Sequence, residues 1–213
     1  MIDIVLLLGH INMKKINILP ISVYEFTASD DLTNNVLNYV TSLPFTKNTN
    51  NKTSETEKHE FVFEEFKLWC EECLEEVKIE EYGNVDWNFH VTQMWANKAN
   101  YAEFHHKHYH PNSILSAVFY LTSTLKGGET KFYTENPYYY VENAKVLSLA
   151  SKKNKHEITE SIQSTKSKLV IFPSTLLHTV NPLGSYETRY SVSFNTFIKG
   201  QLGLKQTSTF LEV

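Results

Sequence analysis

The chain has 213 residues, 41% of them hydrophobic and 21% charged, with a formal net charge of −4. That length supports a core that needs no covalent staple. The acidic balance argues against non-specific nucleic-acid binding, which runs on surplus Lys and Arg. No apolar run approaches the length of a membrane span. The expected organisation is one domain over residues 1–213. Residues 1–12 read as a start-site extension, 13–82 as helical support, 83–199 as a β region and 200–213 as a tail.

The opening M-I-D-I-V-L-L-L-G-H-I-N is apolar but short and carries Asp3 where a signal peptide has a basic region; it is not read as one. Met13, followed by Lys14 and Lys15, is an equally good start. If the first dozen residues belong, Ile4 to Leu8 form an edge strand or a tail. Ile16 to Phe26 reads as extended, with Pro20 confining it to an edge or bulge. Ser29-Asp30-Asp31 offers helix-capping chemistry, and Leu32, Val36, Tyr39, Val40 and Leu43 mark an apolar stripe that stops before Pro44. Thr46 to His59 is polar and without periodicity, hence a surface loop. A second helix is expected over Glu60 to Glu80, ended by Gly83-Asn84. It carries the chain's two cysteines, Cys70 and Cys73. Phe66, Trp69, Cys70, Cys73 and Val77 recur at helical spacing, so both thiols are expected to pack in the core rather than to act in redox or zinc chemistry. Cysteine usage fits a reducing cytoplasm.

From Trp87 the texture turns to β. Trp87, Phe89, Val91, Gln93 and Trp95 alternate with Asn88, His90, Thr92 and Met94. Short strands continue to Lys199. Turns are expected at Asn97, Pro111-Asn112, Lys126 to Gly128, Asn136-Pro137, Lys152 to Lys155, Ser164 to Ser167 and Pro182 to Ser185. Helices first and many short antiparallel strands after predict an α+β chain whose β part is a sandwich or a double-stranded jelly roll.

The chemistry concentrates in two stretches, Phe104 to Phe132 and Phe172 to Asn195. Four histidines fall between His105 and His110. His108 and His110, two residues apart at a strand end, share a face, with Tyr109 pointing away. His178, after the apolar strand Leu169 to Phe172, is the best third ligand from a distant strand. Three protein ligands on one face leave open positions, the layout of non-haem iron oxygenases. His106 shares the face of His108 and His110 and would stand near the metal or the substrate. His105 should point to the outer surface, by the same alternation. A histidine-rich tract can also bind metal adventitiously. His59, His90 and His156 read as ordinary polar residues. In the last strand Arg189, Ser191, Ser193 and Asn195 share one face; a buried guanidinium beside a hydroxyl suits a carboxylate. Tyr120 could add a hydrogen bond to that carboxylate.

The segments H-x-H-P-N-S-I-L-S-A-V-F-Y-L, G-G-E-T-K-F, F-P-S-x-L-x-H-x-V-N-P and E-T-R-Y-S-V-S-F-N resemble the Fe(II)/2-oxoglutarate-dependent oxygenases of marine phages and bacteria. More broadly they are similar to the prolyl-4-hydroxylase-like superfamily. The resemblance spans about residues 13 to 199. It implies a double-stranded β-helix (jelly-roll) core with supporting N-terminal helices, and use of Fe(II), 2-oxoglutarate and O₂. It makes His108 and His178 iron ligands, gives Arg189 with Ser191 the distal carboxylate of 2-oxoglutarate, and sets Tyr120 at the superfamily's co-substrate tyrosine. The expected reaction is hydroxylation of a small molecule or protein side chain with release of succinate and CO₂, in the cytoplasm, or the host cytoplasm for a phage-encoded protein. A homodimer is allowed; no membrane or strong nucleic-acid signal is read.

One departure stands out: His110 sits where the superfamily has Asp. It can ligate as a third histidine, the favoured reading. It can swing aside and leave water or an anion bound, or Glu129 or another carboxylate can take its place. Trp87, Trp95 and Tyr138 to Tyr140 are expected at the substrate mouth, with Thr46 to His59 and Pro137 to Lys145 as lids. Two rival functions follow from the same residues. One is a cupin-like three-histidine dioxygenase that does not use 2-oxoglutarate, and the other a non-catalytic jelly-roll binding module.

Overall fold

The computed structural model describes residues 21–47, 57–135 and 157–213. The expectations for residues 1–12, for Tyr138 to Tyr140, for the Pro137 to Lys145 lid and for most of the Thr46 to His59 loop lie outside the described residues, as do the turns at 136–137 and 152–155.

In chain order the elements are β1 (Tyr24–Thr27), α1 (Asp30–Thr41), β2 (Thr46–Lys47), β3 (Glu57–Glu60), α2 (Glu64–Tyr82), β4 (Trp87–Ala99), β5 (His105–His108) and β6 (Leu115–Tyr120). They continue with β7 (Thr130–Glu135), β8 (Glu157–Ile162), β9 (Lys168–Pro173), β10 (Leu177–Val180), β11 (Arg189–Leu202) and β12 (Leu211–Glu212). One sheet runs β1-β9-β6-β11-β4-β3-β2, with β12 also paired to β11, and the other runs β5-β10-β7-β8. All the pairings are antiparallel. Non-consecutive neighbours such as β6 beside both β9 and β11 make this the double-stranded β-helix expected from the sequence, with helices supporting it.

Helix α1 starts where its side chains can satisfy the free backbone N–H groups of a first turn: Ser29 Oγ accepts from the Leu32 N–H at 3.1 Å. Its apolar stripe is buried through Leu32, Val36 and Val40. Helix α2 begins four residues later than expected because Glu57 to Glu60 pair with β4 as strand β3. Cys70 and Cys73 are free and buried, as their spacing predicted. Burial pushes the Cys73 thiol up to about 12, so at neutral pH it is an inert thiol rather than a nucleophile.

Alternation along the strands divides the apolar side chains into two cores. On β6 and β9, Phe119, Leu169 and Ile171 face the helices and join Phe66, Leu74 and Val77 of α2. Their neighbours Val118, Tyr120, Val170 and Phe172 face the interior of the roll, with Phe132 and Leu176. The long strand β4 serves both layers by changing face. Asn195 pairs with Gln93 but Thr196 pairs with Val91, so Thr92 is an extra residue, a β-bulge. Before it Trp87, Phe89 and Val91 pack on the helix side; after it Met94 and Ala96 do. Gln93, Trp95, Asn97 and Ala99 are thereby turned into the roll. Two expectations change as a result. Period two does not run unbroken through Trp95, and Asn97 is inside a strand, not a turn. Trp87 packs against Tyr82 and Phe89, with ring centroids 5.1 and 5.2 Å apart, so of the two expected mouth tryptophans only Trp95 faces the cavity. No helix among the described residues is long and apolar enough to cross a membrane.

Candidate metal centre and carboxylate pocket

Between the sheets lies a cavity of about 370 Å³. Strands β11 and β4 form its floor: Ser191 is opposite Asn97, Ser193 opposite Trp95 and Asn195 opposite Gln93. Directly paired side chains share a face, so these six side chains and Arg189 form one polar surface. The roof comes from β5 and β10, and it carries the histidines.

Register brings the imidazoles together. His178 is the pairing partner of His108, and their ring centroids are 4.3 Å apart. His110 lies just past the end of β5, where its N–H donates to the Ser174 carbonyl at 2.9 Å. Its ring is 4.9 Å from that of His108 and 5.1 Å from that of His178. One nitrogen from each of the three rings lies within 4.8 Å of the others. Tyr109, between these two histidines, is exposed but also contributes to the cavity lining.

Two of these rings are held by the same device. His108 Nδ1 lies 2.7 Å from the carbonyl oxygen of His106, and His178 Nδ1 lies 2.9 Å from that of Leu176. A carbonyl only accepts, so in a neutral ring Nδ1 carries the hydrogen and Nε2 keeps its lone pair for a metal. Neutrality follows from the surroundings. Burial, then the neighbouring imidazoles, push His178 down to about 3 and His110 to about 4. Burial also lowers His108. Among the described residues no Asp or Glu lines the cavity. Glu129, the alternative carboxylate, instead accepts from Asn181 Nδ2 at 2.6 Å.

At the other end of the floor Arg189 is 3% exposed. Its Nη1 donates to Ser191 Oγ at 3.0 Å, while Nε and Nη2 are buried with no hydrogen-bond partner among the described residues. Burial lowers its pKa and the adjoining Tyr120 opposes this, but a guanidinium stays charged at any ordinary pH. Tyr120 lies with its ring 5.3 Å from the guanidinium carbon, and its hydroxyl donates to Thr130 Oγ1 at 2.7 Å. Tyr120 does not line the cavity; Thr130 does. Thr130 was not singled out from the sequence, and Asn97, expected only as a turn, donates from Nδ2 to Ser193 Oγ at 3.0 Å. A polar residue in strand alternation looks the same whether it faces solvent or a cavity.

His105 is the clearest correction. Alternation put it on the outer surface; it lines the cavity together with His106. From His108 to His105 is three residues on β5, yet their partners His178 and Val180 are two apart on β10. The extra residue is a bulge, and it breaks the parity on which the expectation rested.

These features fit both groups that such a site would take. Neutral imidazoles with directed lone pairs suit a divalent transition metal, and the unpartnered N–H groups of a buried guanidinium suit a carboxylate. A double-stranded β-helix with these two sites at the two ends of one cavity defines the non-haem iron, 2-oxo-acid-dependent oxygenases. Residues 93–195, which contain all of these side chains, match the model of the family described as "Putative 2OG-Fe(II) oxygenase". Over that stretch, 103 of the chain's 213 residues, the chain is similar to that family.

Solved structures agree on the fold. A Pseudomonas putida prolyl-4-hydroxylase is 12% identical with a TM-score of 0.56, over 82% of this chain and 92% of that one. The viral collagen prolyl hydroxylase of Paramecium Bursaria Chlorella virus-1 is 14% identical with a TM-score of 0.53, over 82% and 94%. HygX from Streptomyces hygroscopicus, solved with nickel, 2-oxoglutarate and hygromycin B, is 10% identical with a TM-score of 0.56, over 83% and 82%. No curated protein matches. Family match and fold together indicate a 2OG-Fe(II) oxygenase, with iron and 2-oxoglutarate as the groups its cavity fits.

Proposed function

We propose that His108, His110 and His178 hold the iron, that Arg189 with Ser191 grips the distal carboxylate of 2-oxoglutarate, and that the enzyme hydroxylates a small molecule or a protein side chain. The observation that carries this reading is the buried Arg189, with Nε and Nη2 lacking partners, on the wall of a cavity that also holds the histidine triad. An uncompensated buried charge costs several kcal/mol on the order of; a dicarboxylate offsets it and is aligned by it. Iron, co-substrate and O₂ together supply the oxidation, with succinate and CO₂ released.

The chain supplies orientation. His108 and His178 present Nε2 because two main-chain carbonyls hold Nδ1–H. The Tyr120 hydroxyl is committed to Thr130, so Tyr120 supports the pocket wall and Thr130 donates its own O–H to the co-substrate carboxylate. In this reading the carboxylate contact expected of Tyr120 passes to Thr130. Trp95, with its ring 5.9 Å from that of His110, and the amides of Asn97 and Asn195 border the space left for substrate. A dioxygenase that ignores 2-oxoglutarate would leave Arg189 without a ligand.

The test is anaerobic titration of the metal-free protein with Fe(II) and 2-oxoglutarate, followed by admission of O₂. The expected result is one iron and one 2-oxoglutarate per chain, and succinate once O₂ enters. Iron binding without any 2-oxoglutarate affinity would overturn the reading.

A further inference from the structure

Strand β5 brings more imidazole to the cavity than one iron site uses. The bulge between His105 and His108 turns the adjacent His105 and His106 toward the same space. The ring of His105 is 4.5 Å from that of His108 and 4.9 Å from that of His106, and His106 is 5.0 Å from His108. One nitrogen of each of these three rings also lies within 4.8 Å of the others. A second triad therefore stands beside the first, and His108 belongs to both.

We propose that His105, His106 and His108 form a binding site for a late first-row divalent cation, zinc(II) foremost, and that it cannot be filled together with the triad of His108, His110 and His178. Three imidazoles with a free fourth position are a sufficient donor set for zinc. The cavity's lack of a carboxylate among the described residues favours metals that prefer nitrogen over hard oxygen donors. Zinc also stands above iron(II) in affinity at such sites. Exclusion follows from a single atom. With Nδ1 of His108 held on the His106 carbonyl at 2.7 Å, the ring has one lone pair to give. A cation on the outer triad takes it, and the inner triad loses a ligand. This exclusion rests on the reading that the inner triad holds iron. Its consequence is an oxygenase that zinc withdraws from service by drawing off one histidine.

The site is tested by calorimetric zinc titration of the full-length, metal-free protein and its variants, each first shown to be folded by near-ultraviolet circular dichroism. The double variant His110→Ala/His178→Ala keeps only the outer triad. It should bind one zinc within about fivefold of the wild-type affinity, and adding His106→Ala should weaken that at least tenfold. Loss of zinc binding in the double variant, or indifference to His106→Ala, would sink the proposal. Wild type should take one zinc per chain, and two would refute the exclusion.

Should the double variant not fold, His105→Ala/His106→Ala decides from the other side. It should bind Fe(II) and 2-oxoglutarate anaerobically, and at least tenfold more zinc than in wild type should be needed to displace the iron. An unchanged zinc requirement would overturn the proposal. If wild type binds no Fe(II) with 2-oxoglutarate, the iron reading fails alone, because the zinc titrations stand independently of it.

Discussion

Arg189 illustrates what one residue costs and gives in this molecule. A guanidinium with 3% exposure and two idle donor groups is tolerated only where an anion completes it. Replacing it by Met keeps the volume and removes the charge. We expect 2-oxoglutarate affinity to fall at least about 30-fold, the lower end of what a lost buried charge pair costs, while Fe(II) binding persists. Calorimetry with each ligand separately checks this. His110 supplies the complementary case. His110→Ala should weaken Fe(II) binding at least about tenfold, the loss expected when one of the three proposed ligands goes. His110→Asp should hold iron at least as well as wild type, because it restores a negative charge opposite a dication. Metal affinity unchanged in the Ala variant would remove His110 from the ligand set. Tyr120→Phe deletes only the hydroxyl that donates to Thr130 in a fully buried place. It should lower stability by about 1–3 kcal/mol, read as a shift in the denaturation midpoint, and weaken 2-oxoglutarate far less than Arg189→Met does.

At the scale of elements, short loops hold the strands that carry these side chains. Gly127 has a φ of +72°, and a Cβ there would lie 2.0 Å from the Pro182 carbonyl oxygen. Its partner turn is fastened by the Gly184 N–H donating to Lys126 O at 2.8 Å. The next residue, Gly128, leaves room for Arg189, whose Cδ would be 3.2 Å from an added Cβ. Gly127→Ala is both strained and blocked by backbone, and should destabilise by about 2 kcal/mol or more. Because the same turn abuts Arg189, it should also loosen 2-oxoglutarate binding; thermal unfolding and calorimetry together test the pair of effects. The bulge at Thr92 acts on a larger span. It lets one strand pack on α2 at one end and line the cavity at the other.

For the whole molecule the buried histidines set an acid limit. His105 and His178 are pushed down to about 3, and His110 to about 4, by burial first and by the neighbouring His108 second. In the unfolded chain they titrate near 6.5 (the reference value, roughly). Above that value both states are neutral there and stability is unaffected. As pH falls from there toward about 4, the unfolded chain takes up protons that the fold refuses, and each group removes up to about 1.4 kcal/mol per pH unit. The metal-free protein should therefore lose stability steeply over that window, and a denaturation midpoint constant from pH 7 to 4.5 would contradict it.

The sequence alone was enough for the chemistry and its order along the chain. The spacing of His108 and His110 and Arg189 alternating with Ser191 are local patterns, and so are the Ser29 cap and the apolar stripes of both helices. These depend on neighbours within a turn or a strand, and the structure keeps them. What only the tertiary structure decided is where parity breaks. A bulge exists because two strands disagree by one residue, and that disagreement is a property of the pair. The turning of Gln93, Trp95 and Asn97 into the cavity, the arrival of His105 beside His108, and the commitment of Tyr120 to Thr130 all depend on partners far away in the chain. No single stretch of residues encodes them.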